Sequence, residues 1–87
     1  MKIKKGFILK KVADSYVVVA VGQAVRNFNG AITLNDVSAT MWNMLETGAT
    51  VDELALGLTK EFEVEYERAK ADAEQFVKGL KEANLVE

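Results

Sequence analysis

The spacing of hydrophobic residues changes once along this chain, near residue 35, and the change separates a strand-rich first third from a helical remainder. In the first third, β-branched and aromatic residues cluster in short runs broken by turn residues, which is the pattern of strands. Phe7 to Val12 is the first run, Tyr16 to Val21 the second and Gly30 to Leu34 the third. Ala13-Asp14-Ser15 is short and suited to a hairpin, so the first two strands are expected to pair antiparallel. Gly22 to Asn29 is more polar and irregular, and Asn29-Gly30, which tolerates positive φ, marks a turn just before the third strand. Alternation places Ile32 and Leu34 on one face of that strand and Ala31 and Thr33 on the other. The phase of hydrogen bonding is independent of which side chains face the core, so the sequence leaves open which of these residues bond the second strand.

From Asn35 onward the apolar period is helical. Asn35 suits an N-cap, Met41, Trp42 and Leu45 form an apolar stripe, and Gly48 ends the first helix. Thr50-Val51-Asp52-Glu53 fits a capping box that starts a second helix, whose buried face is Val51, Leu54, Ala55, Leu58 and Phe62. Gly57 weakens that helix locally but permits close packing. Glu63 to Glu65 is the break. The third helix is predicted to be the longest, with Tyr66, Ala69, Ala73, Phe76, Val77 and Leu80 buried and Glu67, Arg68, Lys70, Glu74, Lys78, Lys81 and Glu82 solvated. Asn84 ends it, and Leu85-Val86 folds back as an apolar tail. Three strands followed by three helices predict one α+β domain over residues 1–87, with a three-stranded antiparallel sheet and the outline of a winged helix-turn-helix.

Composition narrows the function. At 87 residues there is room for one small core, and 49% hydrophobic content argues against disorder. No apolar run approaches the roughly 20 residues of a membrane-spanning helix, and the basic start Met1 to Lys5 lacks the apolar stretch of a secretory signal, so a cytoplasmic chain with no membrane partner is expected. Cys and His are both absent, which removes disulfides, thiolate nucleophiles, imidazole bases and the usual ligands of zinc, haem and iron–sulfur clusters. Carboxylates alone still permit acid–base work or a Mg²⁺ site. The missing chemistry favours a non-catalytic chain without cofactor or metal. Residues 1–34 hold six basic side chains against Asp14 alone, about +5, while residues 35–87 hold five basic against twelve acidic, about −7. Such a dipole steers charged partners, and a lysine-rich edge equally discourages strand-to-strand aggregation.

The segment Ile32-Thr33-Leu34-Asn35, then Met41-Trp42-Asn43-Met44-Leu45-Glu46-Thr47-Gly48, then Thr50, Glu53-Leu54, Leu58 and Phe62, resembles the PqqD-like family. The likeness continues through Asp72, Phe76, Leu80 and Asn84-Leu85-Val86, and so runs from about Phe7 to the end. Each piece is common alone; the weight lies in the ensemble at these spacings. The resemblance implies a domain that binds the leader of a ribosomally made precursor peptide and presents the rest to a tailoring enzyme, often a radical S-adenosylmethionine enzyme. It further implies that the leader adds as an antiparallel strand beside the third strand and lies in a groove against the third helix. Carried onto this sequence, those positions are Ala31, Ile32, Thr33 and Leu34, with Asp72, Ala73, Phe76, Val77 and Leu80. Two departures from the family pattern concern helix ends: Glu65 stands where Asp is usual and Asn84 where Gly is usual.

Several residues invite sharper readings. Trp42 could stack on a base or ring, but at helical spacing beside Met41 and Leu45 it reads as core. Asp72 suits a basic leader residue and equally a solvated helix surface. Glu61, Glu63, Glu65 and Glu67 straddle a helix break and read as an acidic corner rather than a metal site. The main alternative function is a winged-helix DNA-binding regulator. Against it, the candidate recognition helix carries Asp52, Glu53 and Glu61 with Lys60 alone, a charge that repels phosphate, so no nucleic-acid partner is expected.

Overall fold

A computed structural model describes residues 1–26 and 31–87. Strands β1 (Phe7–Val12) and β2 (Ser15–Ala20) form a hairpin in which Val12 stands opposite Ser15. Ala13 opens the two-residue loop at φ 55°, the positive φ that hairpin turns of this length require there. Strand β3 (Ile32–Leu34) pairs antiparallel with β2, Tyr16 opposite Leu34 and Val18 opposite Ile32. The strand order β1-β2-β3 leaves β3 at an edge. Two expectations shift here. The second strand begins one residue early, because Ser15 still pairs with Val12, and the stretch read as irregular contains a 3₁₀ helix, Gly22–Arg26. The turn expected at Asn29-Gly30 lies outside the described residues, and Ala31 precedes β3 as exposed chain.

The helices begin and end where their caps dictate. Helix α1 (Asp36–Thr47) starts as the Ser38 N–H donates to Asn35 Oδ1 at 2.8 Å and stops at Gly48, φ 102°. Helix α2 (Val51–Glu61) carries the complete capping box: Glu53 N–H donates to Thr50 Oγ1 at 3.1 Å, and Thr50 N–H to Glu53 Oε1 at 2.9 Å. Helix α3 (Tyr66–Glu82) begins after Glu65, which makes no side-chain cap. It ends in a Schellman motif, with Asn84 at φ 62° donating to the Lys81 carbonyl and Leu85 N–H donating to the Leu80 carbonyl. Asparagine tolerates that left-handed backbone almost as glycine does, so the Gly-to-Asn departure preserves the turn.

The helices cover one face of the sheet. Val18 and Leu34 from the sheet, Trp42 and Leu45 from α1, Leu54 and Leu58 from α2, and Ala69, Ala73, Val77 and Leu80 from α3 form one core cluster. A Cβ at Gly57 would lie 2.6 Å from Met44 Sδ, so glycine there lets the methionine seat against α2. Tyr66 Oη donates to Asp52 Oδ1 at 2.8 Å and ties the start of α3 to that of α2. This hydrogen bond above all, with partial desolvation and the charges of Asp52 and Glu74, raises the Tyr66 hydroxyl above its ordinary pKa. The sequence reading missed one closure. Ile3 is buried, bridges antiparallel to Val86, and donates its N–H to the Leu45 carbonyl at 3.0 Å, so the basic start of the chain seals the core against the C-terminal tail. No described helix is long and apolar enough to cross a membrane.

Trp42 is fully buried, as its stripe predicts. Trp42→Ala is expected to lower stability by about 3–5 kcal/mol in chemical denaturation. A loss below about 1 kcal/mol would mean that the ring contributes little to the core.

Candidate functional site

In an antiparallel ladder each residue turns its N–H and C=O to one side, and its neighbours turn theirs to the other. The phase between β1 and β2 is fixed just beyond the strands, where Val21 N–H donates to the Gly6 carbonyl at 2.7 Å. Every second pair along the register then exchanges bonds as well: Ile8 with Val19, Lys10 with Val17 and Val12 with Ser15. Tyr16 and Val18 therefore turn their backbone groups to β3, where Leu34 and Ile32 face them. Thr33, opposite Val17, directs its N–H and C=O away from the sheet. The same phase carried back one step gives Ala31 that orientation too. The parity left open by the sequence is thus assigned: Ile32 and Leu34 hold β3 in the sheet, and Thr33 lies at the centre of a free edge.

Just past this edge lies an open cavity of about 510 Å³ between the first turns of α1 and one flank of α3. Asn35, Val37, Ser38 and Met41 line it from the α1 side, and Arg68, Asp72, Gln75 and Phe76 from α3. The chain passes from β3 into α1 at Asn35 with no intervening loop, so the capped first turn of α1 stands at the end of the edge. Val37, Met41 and Phe76 supply apolar surface, while Arg68 and Asp72 pair across one helical turn, Nε to Oδ1 3.4 Å. Their side chains are 75% and 42% exposed, and a pair so wet contributes at most about 1 kcal/mol, so a charged ligand can rearrange it.

Of the residues expected to contact a peptide, Thr33 and Ala31 are exposed at the edge, while Ile32 and Leu34 face the core, the first half-buried and the second buried. Asp72 and Phe76 line the cavity. Ala73, Val77 and Leu80 do not: all three belong to the core, and Val77 reaches only a shallow depression on the α2 side with Val51 and Glu74. The difference in placement is one of angle. Positions 68, 72, 75 and 76 share one flank of α3, and 69, 73, 77 and 80 point about a quarter-turn away, toward α2. Asn35, Val37, Ser38, Met41, Arg68 and Gln75 were missed. Direct passage of the strand into a capped helix was the available signal for the α1 residues; nothing in the sequence singles out Gln75. Among the described residues, no three acidic side chains converge as metal ligands would.

The profile of the family described as coenzyme PQQ synthesis protein D (PqqD) matches residues 15–86. The chain belongs to the PqqD family. Its fold is shared with "TbiB1 in Complex with the TbiA(beta) Leader Peptide", at TM-score 0.78 and 23% identity over 100% of this chain and 95% of that one. It is likewise shared with "Lasso peptide synthetase B1 complexed with the leader peptide", at TM-score 0.75 and 25% identity over 97% and 93%. No curated protein matches the sequence. The sheet followed by three helices is therefore the architecture of PqqD-family chains.

The assigned parity predicts a pattern of amide hydrogen exchange. In the free protein Thr33 is expected to exchange at a rate near that of an unprotected amide, with Ile32 and Leu34 protected between it and the core. Protection of Thr33 equal to that of its neighbours would show that the edge is already paired.

Proposed function

We propose that this PqqD-family chain, acting over residues 1–87 as one domain, captures the leader of a ribosomally made precursor peptide by strand addition at β3. The free N–H and C=O of Thr33, beside a cavity with apolar walls, carry the reading. Backbone bonds supply affinity in this mode, and side-chain pockets supply specificity. The two solved structures of the same fold, each described as a complex with a leader peptide, support it.

Direction follows from the pairing. β3 runs toward Asn35, so an antiparallel leader runs away from it. Leader residues preceding the paired stretch then fall at the cavity, against Val37, Met41 and Phe76, and the segment to be modified leaves past Ala31. Arg68 and Asp72 offer one charge of each sign to the bound segment. The chain performs no chemistry itself; it holds the substrate in the cytoplasm for a tailoring enzyme, and a radical S-adenosylmethionine enzyme is one class that this role suits. A disordered leader loses entropy on docking, so affinity in the micromolar to high-nanomolar range is expected, with exchange fast enough for hand-over. A DNA-binding role gains nothing from α2, where Asp52, Glu53 and Glu61 are exposed.

Proline substitution separates the two parities. Ile32→Pro removes a ladder donor to β2 and is expected to lower the melting temperature markedly. Thr33→Pro removes only an outward donor, so most of the stability should remain while leader affinity falls at least about tenfold, the equivalent of about 1.4 kcal/mol. The measurement is a calorimetric titration with a panel of candidate leader peptides. Undiminished binding by a folded Thr33→Pro protein would refute strand addition.

A further inference from the structure

A glycine inside a helix lowers its stability, so its presence calls for a compensating reason. Gly57 in α2 has one, the seat it gives to Met44, and positive φ accounts for Gly6, Gly22 and Gly48 outside the helices. Gly79 of α3 has neither: its backbone is helical, and a Cβ built on it would meet nothing within 4 Å. The residue is exposed. Nothing in the chain's own packing requires glycine there, although alanine would make the better helix.

Its place on the helix supplies the reason. At about 100° per residue, Gly79 falls within about 20° of Asp72 around the axis, on the flank that lines the cavity. It lies about 4.5 Å beyond Phe76 and about 10.5 Å beyond Asp72 along α3. One turn farther on, Ala83 lines a second hollow together with Phe7 and Ala24. Phe7 pairs with Ala20, at the end of the sheet where β3 begins. Helix α3 therefore runs from the Asn35 end of the sheet to the Ala31 end, the direction proposed for the leader.

We infer that Gly79 is a notch for one large apolar side chain of the leader, and that it thereby helps to decide which leaders this chain accepts. The inference rests on the leader-capture reading and deepens it. The leader residue bonded to Thr33 turns its side chain to the outer face, so the residues before and after it, level with Leu34 and Ile32, turn theirs to the helix side. The first of the two falls at the cavity. The second lies two strand residues farther along, about 7 Å, and that step carries it past Phe76 to the level of Gly79. Phe76 and Ala83 stand one turn to either side and make the walls of the notch apolar. A missing side chain on this flank leaves depth for a leucine-sized or aromatic residue.

The test sets stability against binding. Gly79→Ala and Gly79→Leu are compared with the wild-type chain by thermal melting and by titration with the tightest binder from a panel of candidate leader peptides. Lys78→Leu, which adds the same bulk on the solvent side of α3, is the control. Gly79→Ala is expected to melt about 4–8 °C higher, because the helix improves and nothing in the chain is displaced. Gly79→Leu should also fold, yet bind the leader at least about tenfold more weakly, while Lys78→Leu stays within about twofold of wild type. An alanine scan of the leader then identifies the occupant: at one large residue, and only there, alanine should reduce the cost of Gly79→Leu to about twofold or less. Leader binding by Gly79→Leu within twofold of wild type would overturn the inference, as would a loss that is the same for every alanine-substituted leader. A wild-type chain that binds no peptide of the panel, or a folded Thr33→Pro chain that binds undiminished, would instead remove the reading beneath it, and neither outcome involves Gly79.

Discussion

Strand β2 divides its backbone bonds between two neighbours, residue by residue, and everything at the site follows from that division. The two-residue loop at Ala13-Asp14 and the Val21–Gly6 bond commit its odd-numbered residues to β1, which leaves Tyr16 and Val18 for β3. In β3, the residues that make ladder bonds are also those whose side chains meet the core, Ile32 and Leu34. Thr33 does neither. Stability and recognition are thereby assigned to alternate residues of a three-residue strand, so a peptide can pair with Thr33 without competing for bonds that hold the sheet. The other edge is less inviting, since β1 carries Lys10 and Lys11, and lysines on an edge discourage pairing.

The helical layer converts this edge into a site with a side. Asn35 ends β3 and caps α1 at once, which fixes the first turn of α1 at the mouth of the cavity. Helix α3 lies along α2 through Ala69, Ala73 and Val77, whose small or branched side chains let it pack closely, and this contact aims Asp72 and Phe76 at the cavity. The two ends of the described chain lock the layer from below, with Ile3 bridging Val86 and Lys4 Nζ donating to Asn84 Oδ1.

Much of this architecture was legible in the sequence because it depends on local chemistry. Asn35, Gly48, the Thr50–Glu53 box and Asn84 each satisfy or release specific backbone groups, and all four mark helix ends in the structure. What was not legible depends on long-range geometry. Ile3 reads as part of a lysine-rich tail, since nothing local announces a partner at Val86. The α3 stripe was read as a single face, although Phe76 borders the cavity while Ala73, Val77 and Leu80 point into the core. Which flank opens is decided by where α1 and α2 press on the helix. The hydrogen-bond phase of β3 likewise depends on a hairpin closed elsewhere in the chain.

The most direct measurement is a scalar coupling across the hydrogen bond between the Thr33 amide nitrogen and a leader carbonyl carbon, observed with labelled chain and labelled peptide. Strand addition predicts that this coupling appears as the leader saturates the protein, while Ile32 and Leu34 keep their couplings to β2. Saturation without any coupling at Thr33, with the spectral changes confined to α2 instead, would contradict the account.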